Sequence, residues 1–316
     1  MQESDFRLPA SYPGGDNTAI FVRAFLPEGR APRAIVQIAH GMAEHSARYA
    51  RFAQALTEHG YGAYIADHRG HGQTVTRRED LGHFADDDGW EKVVSDQVSL
   101  LSEIESRHPG TPVFLMGHSM GSYVARSAAL RVAPDLSGLI LSGSSHDSPV
   151  AIRAARLVAA AERLRLGKCG KSALLRKLTF ESFNKQIDDP RTTCDWLSRD
   201  KFEVDKYIAD PLCGFESTTQ LFWDMFGGMI EVFTQDNLDK LPKQLPIYIL
   251  AGEHDPLNNK LAAIKKLHKA LEAAGLKNIT LRVYQEARHE LLNETNRDEV
   301  THDLIQWLDE RMALAT

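Results

Sequence analysis

Cysteine is scarce in this chain of 316 residues, which contains only Cys169, Cys194 and Cys213. The three are widely spaced and no Cys-x-x-Cys pair occurs. This pattern excludes a disulfide-rich scaffold and argues against a structural zinc site. An odd number of scattered thiols is typical of a protein from a reducing compartment.

A basic excess is also lacking, since 37 Lys and Arg residues face 43 Asp and Glu residues, for a formal net charge of −6. Nucleic-acid binders usually carry a basic surplus, so we expect no nucleic-acid partner. No stretch approaches the roughly 18 apolar residues of a membrane span, and MQESDFRLPASYPGGD shows no secretory signal. These absences predict a cytoplasmic location.

What the chain does contain, from residue 18 onward, is an alternation of short apolar runs and longer amphipathic ones. The runs AIVQIA, YGAYIA, VFLM, GLIL and IYIL are apolar almost throughout, and apolar residues recur at helical spacing between them. Strands of this kind belong to parallel sheets that are covered on both faces. The sequence therefore predicts an α/β fold with a mostly parallel central sheet and helices on both faces.

The alternation stops between about residues 145 and 241. That stretch is helical in composition, is interrupted by Pro and Gly, and lacks a clear β run. It departs after one predicted strand and returns before another, at the edge where α/β proteins bind ligands. We predict a core of residues 1–144 and 242–316 with an inserted helical subdomain of residues 145–241.

The segment Gly117-His118-Ser119-Met120-Gly121 matches the pattern G-x-S-x-G. This pattern forms a sharp strand-to-helix turn that exposes the serine hydroxyl, and the two glycines avoid clashes in it. A strand-like run precedes the segment and an amphipathic helical stretch follows it, as the turn requires. Ser119 is therefore the candidate nucleophile.

A serine hydroxyl needs a general base, and the base needs an orienting carboxylate. Asp255 and His289 each follow a predicted strand, and they occur in the chain order Ser, Asp, His that accompanies this turn. Glu253 is a rival carboxylate, but Pro256 rigidifies the loop directly after Asp255. His254 is a rival base, but it precedes the carboxylate.

Backbone amides must also bind the oxygen that gains charge during acyl transfer. One amide should belong to Met120, directly after the nucleophile, and the other to Met42, in the loop after AIVQIA. His40 in the same loop either buttresses it or is a packed polar residue.

The blocks HGMAEHSARY, ADHRGHG, GHSMGS, GEHDP and ARHELLNE, in this order, resemble the serine-hydrolase family of monoacylglycerol lipases and lysophospholipases. That family belongs to the α/β-hydrolase superfamily, and the blocks span residues 40–294. The resemblance implies an acyl-enzyme on Ser119, with Asp255 and His289 as its partners. It also implies that residues 145–241 form a helical cap over the site.

The resemblance further implies a small lipid or ester substrate, and no cofactor or metal. His68, His71 and His83 lack a metal-ligand spacing. Glu44 and His45 should organise the oxyanion loop or contact a polar head group. The full set of expected substrate contacts is His40, Glu44, His45, His118, Phe222 and Phe226.

Residues 151–166 combine apolar positions with four arginines, so the cap offers a basic amphipathic helix that either packs on the protein or contacts a membrane surface transiently. The oligomeric state is not indicated.

Three alternatives to a lipid esterase stay open. A serine aminopeptidase or iminopeptidase would need cap acids to hold a substrate amine, and the cap contains Asp188, Asp189, Asp195, Glu203 and Asp205. A small-ester esterase would use the same catalytic residues. A binding protein on a hydrolase scaffold would not react with a serine-directed label.

Overall fold

A single sheet organises the computed structural model, which describes residues 1–8 and 18–315. Within those ranges eight strands form this sheet, in the order β1-β2-β4-β3-β5-β6-β7-β8. They are β1 (Gln2–Leu8), β2 (Ile20–Leu26), β3 (Ile35–Ala39), β4 (Gly62–Ala66), β5 (Val113–His118), β6 (Gly138–Ser142), β7 (Ile247–Gly252) and β8 (Ile279–Tyr284). Strands β3 to β8 pair in parallel, and β1 and β2 form an antiparallel edge. The predicted mostly parallel sheet is confirmed.

Eleven α-helices accompany the sheet in the described residues. They are α1 (Ala50–Glu58), α2 (Gly89–Arg107), α3 (Met120–Val132), α4 (Pro149–Leu166), α5 (Ala173–Leu178), α6 (Phe180–Asn184), α7 (Lys201–Ala209), α8 (Thr219–Phe233), α9 (Gln235–Leu238), α10 (Ala262–Ala273) and α11 (Arg297–Ala315).

Both faces of the sheet are covered by helices, as the apolar strands require. Helices α1 and α11 pack on one face, where Phe52 and Trp307 join a buried cluster. Helices α2, α3 and α10 pack on the other face. The central strands β3 to β7 are buried along their whole length, as expected for a sheet covered on both sides.

The register of the parallel strands brings their carboxyl ends to one edge. Ala39 pairs with Gly117, and His118 pairs with Ser142. Ser142 in turn pairs with Leu250. The loops after β3, β5, β6 and β7 therefore start side by side, which is where ligands bind in open α/β sheets.

The inserted segment between β6 and β7 is helical and contains α4 to α9. Helix α8 packs against α4 and also against α2 and α3 of the core. Gly228 permits this packing, because a Cβ there would overlap the Trp90 indole. In the described ranges, none of the helices combines the length and apolar character needed to cross a bilayer.

Strand β1 was not predicted from the sequence. Five of its seven residues are exposed, and it forms the outer edge of the sheet, so it lacks the continuous apolar run of the inner strands. Charged residues on an exposed edge strand hinder pairing with another chain.

Candidate active site

Ser119 lies at a strained turn between β5 and α3. Its φ of 52° and ψ of −122° form a combination that non-glycine residues rarely adopt. The turn is held by hydrogen bonds from the Ser119 amide to the Ser142 carbonyl (2.9 Å) and from the Ser122 hydroxyl to the Ser119 carbonyl (2.6 Å). Ser119 is partly exposed and lines a cavity.

The two glycines of the motif allow the chain to pass closely on either side of this turn. A Cβ on Gly117 would overlap backbone atoms of Gly121 and Ser122. A Cβ on Gly121 would overlap the carbonyl oxygens of Ala39 and His40. The predicted strand–turn–helix context of Ser119 is therefore present.

His289 and Asp255 form a buried pair, with 2.9 Å between His289 Nδ1 and Asp255 Oδ2. Their side chains are 2% and 0% exposed. The other carboxylate oxygen of Asp255 accepts the Leu257 amide at 2.9 Å. His289 Nε2 has no hydrogen-bond partner among the described residues. The pair therefore presents one unused ring nitrogen.

The rival residues lie elsewhere. Glu253 accepts the backbone amide of Glu286 at 3.0 Å. The side chain of His254 is exposed.

Burial tends to lower the pKa of His289, but the charge and hydrogen bond of Asp255 outweigh it and raise the pKa above the ordinary value. The neighbouring His118 ring lies 4.9 Å away between ring centroids. Burial, reinforced by His289, lowers the pKa of His118 to about 4. His118 is therefore neutral at pH 7 and adds no charge beside His289.

The loop after β3 approaches the turn at Ser119. A Cβ on Gly41 would lie 3.3 Å from the Ser119 Cβ. The Gly41 amide donates to Glu44 Oε1 at 2.6 Å, so it is not free to bind a substrate oxygen. The Met42 amide has no acceptor among the described residues, and Met42 and Met120 both line the cavity next to Ser119.

His40 supports this loop from behind. Its Nε2 accepts the His68 amide at 2.9 Å, so the ring proton is on Nδ1, which donates to the Gly41 carbonyl at 2.8 Å. Burial, together with His68 and His71, lowers the pKa of His40 well below its usual value. His40 is fully buried and holds the loop as a neutral residue.

Arg48 connects the loop after β3 with the loop after β8. It donates to both carboxylate oxygens of Glu290 at 2.6 Å and to Glu44 Oε2 at 2.8 Å. Burial would raise the pKa of Glu290, but Arg48 outweighs it and holds that pKa well below the ordinary value. Glu290 is therefore a carboxylate at neutral pH.

Two groups of potential metal ligands occur among the described residues, His45–Asp210–Cys213 and His83–Asp86–Cys169. In each group the histidine already contacts the carboxylate, at 2.9 Å for His45 and 3.2 Å for His83. His68 and His71 belong to neither group.

A cavity of about 210 Å³ is lined by Ser119 and His289. Apolar side chains dominate its wall, and most belong to the inserted segment: Phe180, Phe183, Trp196, Leu197, Met225, Phe226 and Met229. Leu257, from the loop after β7, also contributes. Such a wall suits an apolar ligand group.

Of the expected substrate contacts, Glu44, His118 and Phe226 line this cavity. The other three do not. His40 lies behind the loop, His45 lines a surface groove, and Phe222 lines a second cavity of about 380 Å³.

Sequence reasoning did not identify Trp196, whose ring centroid lies 5.0 Å from that of His289. It belongs to a part of the insertion without regular secondary structure, where hydrophobic periodicity gives no signal. Sequence reasoning also missed Phe180, Phe183 and Tyr207 of the cavity wall, which lie in the short helices α6 and α7.

Residues 30–296 match the family described as "Serine aminopeptidase, S33". Monoglyceride lipase of Homo sapiens is 28% identical, over 99% of this chain and 97% of that protein. A monoglyceride lipase homolog of Monkeypox virus is 30% identical, over 94% of this chain and 96% of that protein.

Among solved structures, a thermostable carboxyl esterase from Bacillus coagulans in complex with glycerol superposes with a TM-score of 0.88. It is 28% identical, and the match covers 99% of each chain. The α/β-hydrolase fold expected from the sequence is confirmed.

Proposed function

Because this chain belongs to the serine aminopeptidase S33 family, we propose that it hydrolyses carboxylic esters through an acyl-enzyme on Ser119. The observation that carries the proposal is the buried Asp255–His289 pair, whose Nε2 lacks a partner among the described residues, at a cavity that Ser119 also lines. The names of the relatives support a lipase or esterase activity.

In the first half of the reaction, Ser119 Oγ attacks the ester carbonyl carbon while His289 Nε2 takes the hydroxyl proton. The carbonyl electron pair moves to oxygen, and the amides of Met42 and Met120 donate hydrogen bonds to that oxyanion. When the tetrahedral intermediate collapses, His289 returns the proton to the leaving alcohol, and the acyl group stays on Ser119.

In the second half, His289 Nε2 accepts a proton from water, and the water oxygen attacks the acyl carbon. Collapse breaks the bond to Ser119 Oγ, which regains the proton from His289, and the carboxylic acid leaves. Asp255 keeps the ring proton on Nδ1 and stabilises the imidazolium in both halves.

The substrate class proposed is an ester with one acyl chain, such as a monoacylglycerol or a lysophospholipid. The apolar wall formed by residues such as Phe226 and Met229 supports this class, because an acyl chain gains free energy by leaving water. Residues 145–241 would act as a cap, since they supply most of that wall.

The cap acids divide on the aminopeptidase alternative: Asp147, at the start of the insertion, lines the cavity, whereas the five acids named from the sequence do not. Asp195 accepts hydrogen bonds from Thr192. Glu203 pairs with Arg51, and Asp205 pairs with Arg191. None of Asp188, Asp189, Asp195, Glu203 and Asp205 is among the described residues that line the cavity.

A p-nitrophenyl ester series from acetyl to palmitoyl tests the proposal, with Ser119→Ala as the matched variant. We expect an optimum at medium or long chains and no activity above background in Ser119→Ala. An optimum at acetyl would favour a small-ester esterase.

Labelling of Ser119 by a fluorophosphonate separates an enzyme from a binding protein. Full esterase activity in Ser119→Ala would overturn the mechanism. A folded protein that neither labels nor hydrolyses any ester would support the binding-protein alternative.

Helix α4 supports a transient contact of the cap with a membrane surface. Val150, Leu157 and Leu164 recur every seven residues, and their exposed fractions are 70%, 70% and 90%. Arg153, on the same helix, is exposed beside this stripe. An apolar stripe next to a basic residue suits an anionic lipid surface.

A further inference from the structure

The imidazole of His289 contacts two aromatic rings. One belongs to His118, with 4.9 Å between ring centroids. Trp196 of the inserted segment is also in contact, at 5.0 Å and an interplanar angle of 36°. Trp196 is 5% exposed and His289 is 1% exposed, so the contact between the two rings is shielded from water.

Trp196 is held in place by the loop that carries His289. The Glu290 amide donates to the Leu197 carbonyl at 2.8 Å. The Arg288 guanidinium donates to the Asp195 carbonyl at 2.6 Å, so hydrogen bonds from the His289 loop flank Trp196 on both sides.

Further along, the Ser198 hydroxyl donates to the Asn293 carbonyl at 2.8 Å. The Arg199 guanidinium donates to the fully buried Glu294 carboxylate at 2.8 Å. These hydrogen bonds attach residues 195–199 of the insertion to the loop that carries His289.

We infer that Trp196 is a positioning residue that holds the His289 ring in its plane toward Ser119 and stabilises the imidazolium formed during acyl transfer. This inference rests on the proposed function. A cation within about 6 Å of an indole centroid is stabilised by the negative face of the ring, and more strongly where water is excluded. His118 is neutral at pH 7 and has a smaller ring, so Trp196 contributes most of the aromatic stabilisation of the His289 imidazolium.

The inference predicts a specific pair of effects for Trp196→Leu, with p-nitrophenyl acetate as the probe because its short acyl group needs little of the cavity wall. Activity requires neutral His289. Loss of the indole destabilises the imidazolium, so the acidic limb of the kcat/KM profile moves to lower pH by about half to one pH unit. The plateau rate falls about three- to tenfold, because the same imidazolium forms in the transition state.

If Trp196 only filled space, the acidic limb of the kcat/KM profile would move in the opposite direction. A smaller side chain would admit water, hydration favours the charged ring, and the acidic limb would move to higher pH. The other charged or titratable groups that face His289 are Asp255, Glu290, Glu44 and His118, and all stay unchanged in these variants.

Trp196→Phe keeps an aromatic face. It should therefore retain most of the plateau rate, and its acidic limb should lie close to that of the parent. If the circular dichroism of Trp196→Leu departs from that of the parent, Trp196→Met replaces it, because methionine keeps more of the volume without a ring. Phe226→Leu is the matched control: it alters the same cavity wall and should change KM for longer esters without moving the limb.

An acidic limb that stays in place or moves upward in the non-aromatic variants overturns the role of Trp196 while leaving the proposed function intact, provided that Ser119→Ala is inactive. Activity retained in Ser119→Ala overturns both.

Discussion

Arg48, in the loop after β3, binds Glu290, in the loop after β8, with two hydrogen bonds of 2.6 Å. Its third contact, to Glu44, extends this link to the amide of Gly41. The loop that would supply the Met42 amide and the loop that carries His289 are therefore fixed relative to each other by one guanidinium.

Arg48→Gln should lower stability and activity together. It leaves Glu290 and Glu44 as buried carboxylates without their cation, which typically costs about 3 to 5 kcal/mol. Urea unfolding should show this loss, and kcat/KM should fall because the two loops lose their connection. Arg51→Gln, which removes a 45% exposed arginine bound to Glu203, Leu292 and Asn293, should cost less than Arg48→Gln because Arg51 is the more exposed of the two. Equal losses in the two variants would contradict this view of Arg48.

The activity should fall as the pH drops through the pKa of His289, which Asp255 holds above its ordinary value despite burial. Asp255→Asn removes that carboxylate, so the acidic limb should move to lower pH. The plateau kcat should fall by about 10⁴-fold through loss of the correct tautomer. The pH profile of kcat checks both effects. Glu253→Gln should leave them unchanged, and a larger loss there would identify Glu253 as the true carboxylate.

The folded protein should lose stability below about pH 6.5, because several histidines are buried in the neutral form. Burial, with help from His71, lowers the pKa of His68 to about 3, and burial lowers that of His71 to about 4. The unfolded chain therefore binds more protons between pH 6.5 and 4. Each such histidine destabilises the folded state by about 2 kcal/mol at pH 5 relative to neutral pH.

Urea unfolding across this pH range measures the effect. The free energy of unfolding should change with pH by one proton's worth less in His71→Phe. The exposed His302→Gln should not reduce this slope. An unchanged slope in His71→Phe would mean that His71 is charged in the folded protein.

Met229→Trp should shift the preference toward short acyl chains. Met229 lines the cavity, and a larger side chain would occupy space needed by distal methylene groups. We expect kcat/KM for the decanoyl ester to fall more than about tenfold, and that for the acetyl ester to change less than about twofold. Met229→Leu, which nearly conserves volume, is the control. Equal effects on both esters would place the acyl chain elsewhere.

Leu157→Ser combined with Leu164→Ser should weaken binding to anionic vesicles. These side chains are exposed on one face of α4, and each methylene that enters the lipid contributes about 0.8 kcal/mol. Co-sedimentation with phosphatidylserine-containing vesicles measures the change. Leu314→Ser, at an exposed position on α11, is the control. Equal binding by all variants would remove α4 from the contact.

The sequence was sufficient to predict the sheet and the surroundings of Ser119, Asp255 and His289. Ser119 and Asp255 follow the inner strands β5 and β7, whose continuous apolar runs are easy to recognise. His289 follows β8, an edge strand in which apolar and polar residues alternate. The order of such strands then places their carboxyl ends at one edge. Strand β1 escaped this reasoning because its exposure as an edge strand removes the apolar signal.

Side-chain partners were less predictable. The choice between two roles for His40 depended on which ring nitrogen met the His68 amide, a contact across 28 positions of sequence. Trp196 reaches His289 through a segment without helical or strand periodicity. Such contacts follow from tertiary packing, which local patterns do not encode.

The hydrogen bonds between the Trp196 segment and the His289 loop also constrain how the protein is made. The bond from the Ser198 hydroxyl to the Asn293 carbonyl joins residues 95 positions apart. During synthesis at about 5 to 20 residues per second, the Trp196 segment waits roughly 5 to 20 seconds for its partners to be translated. Until then, of the described aromatic partners of Trp196 only Phe180 and Phe183 have been translated, so its packing is completed only when the His289 loop emerges.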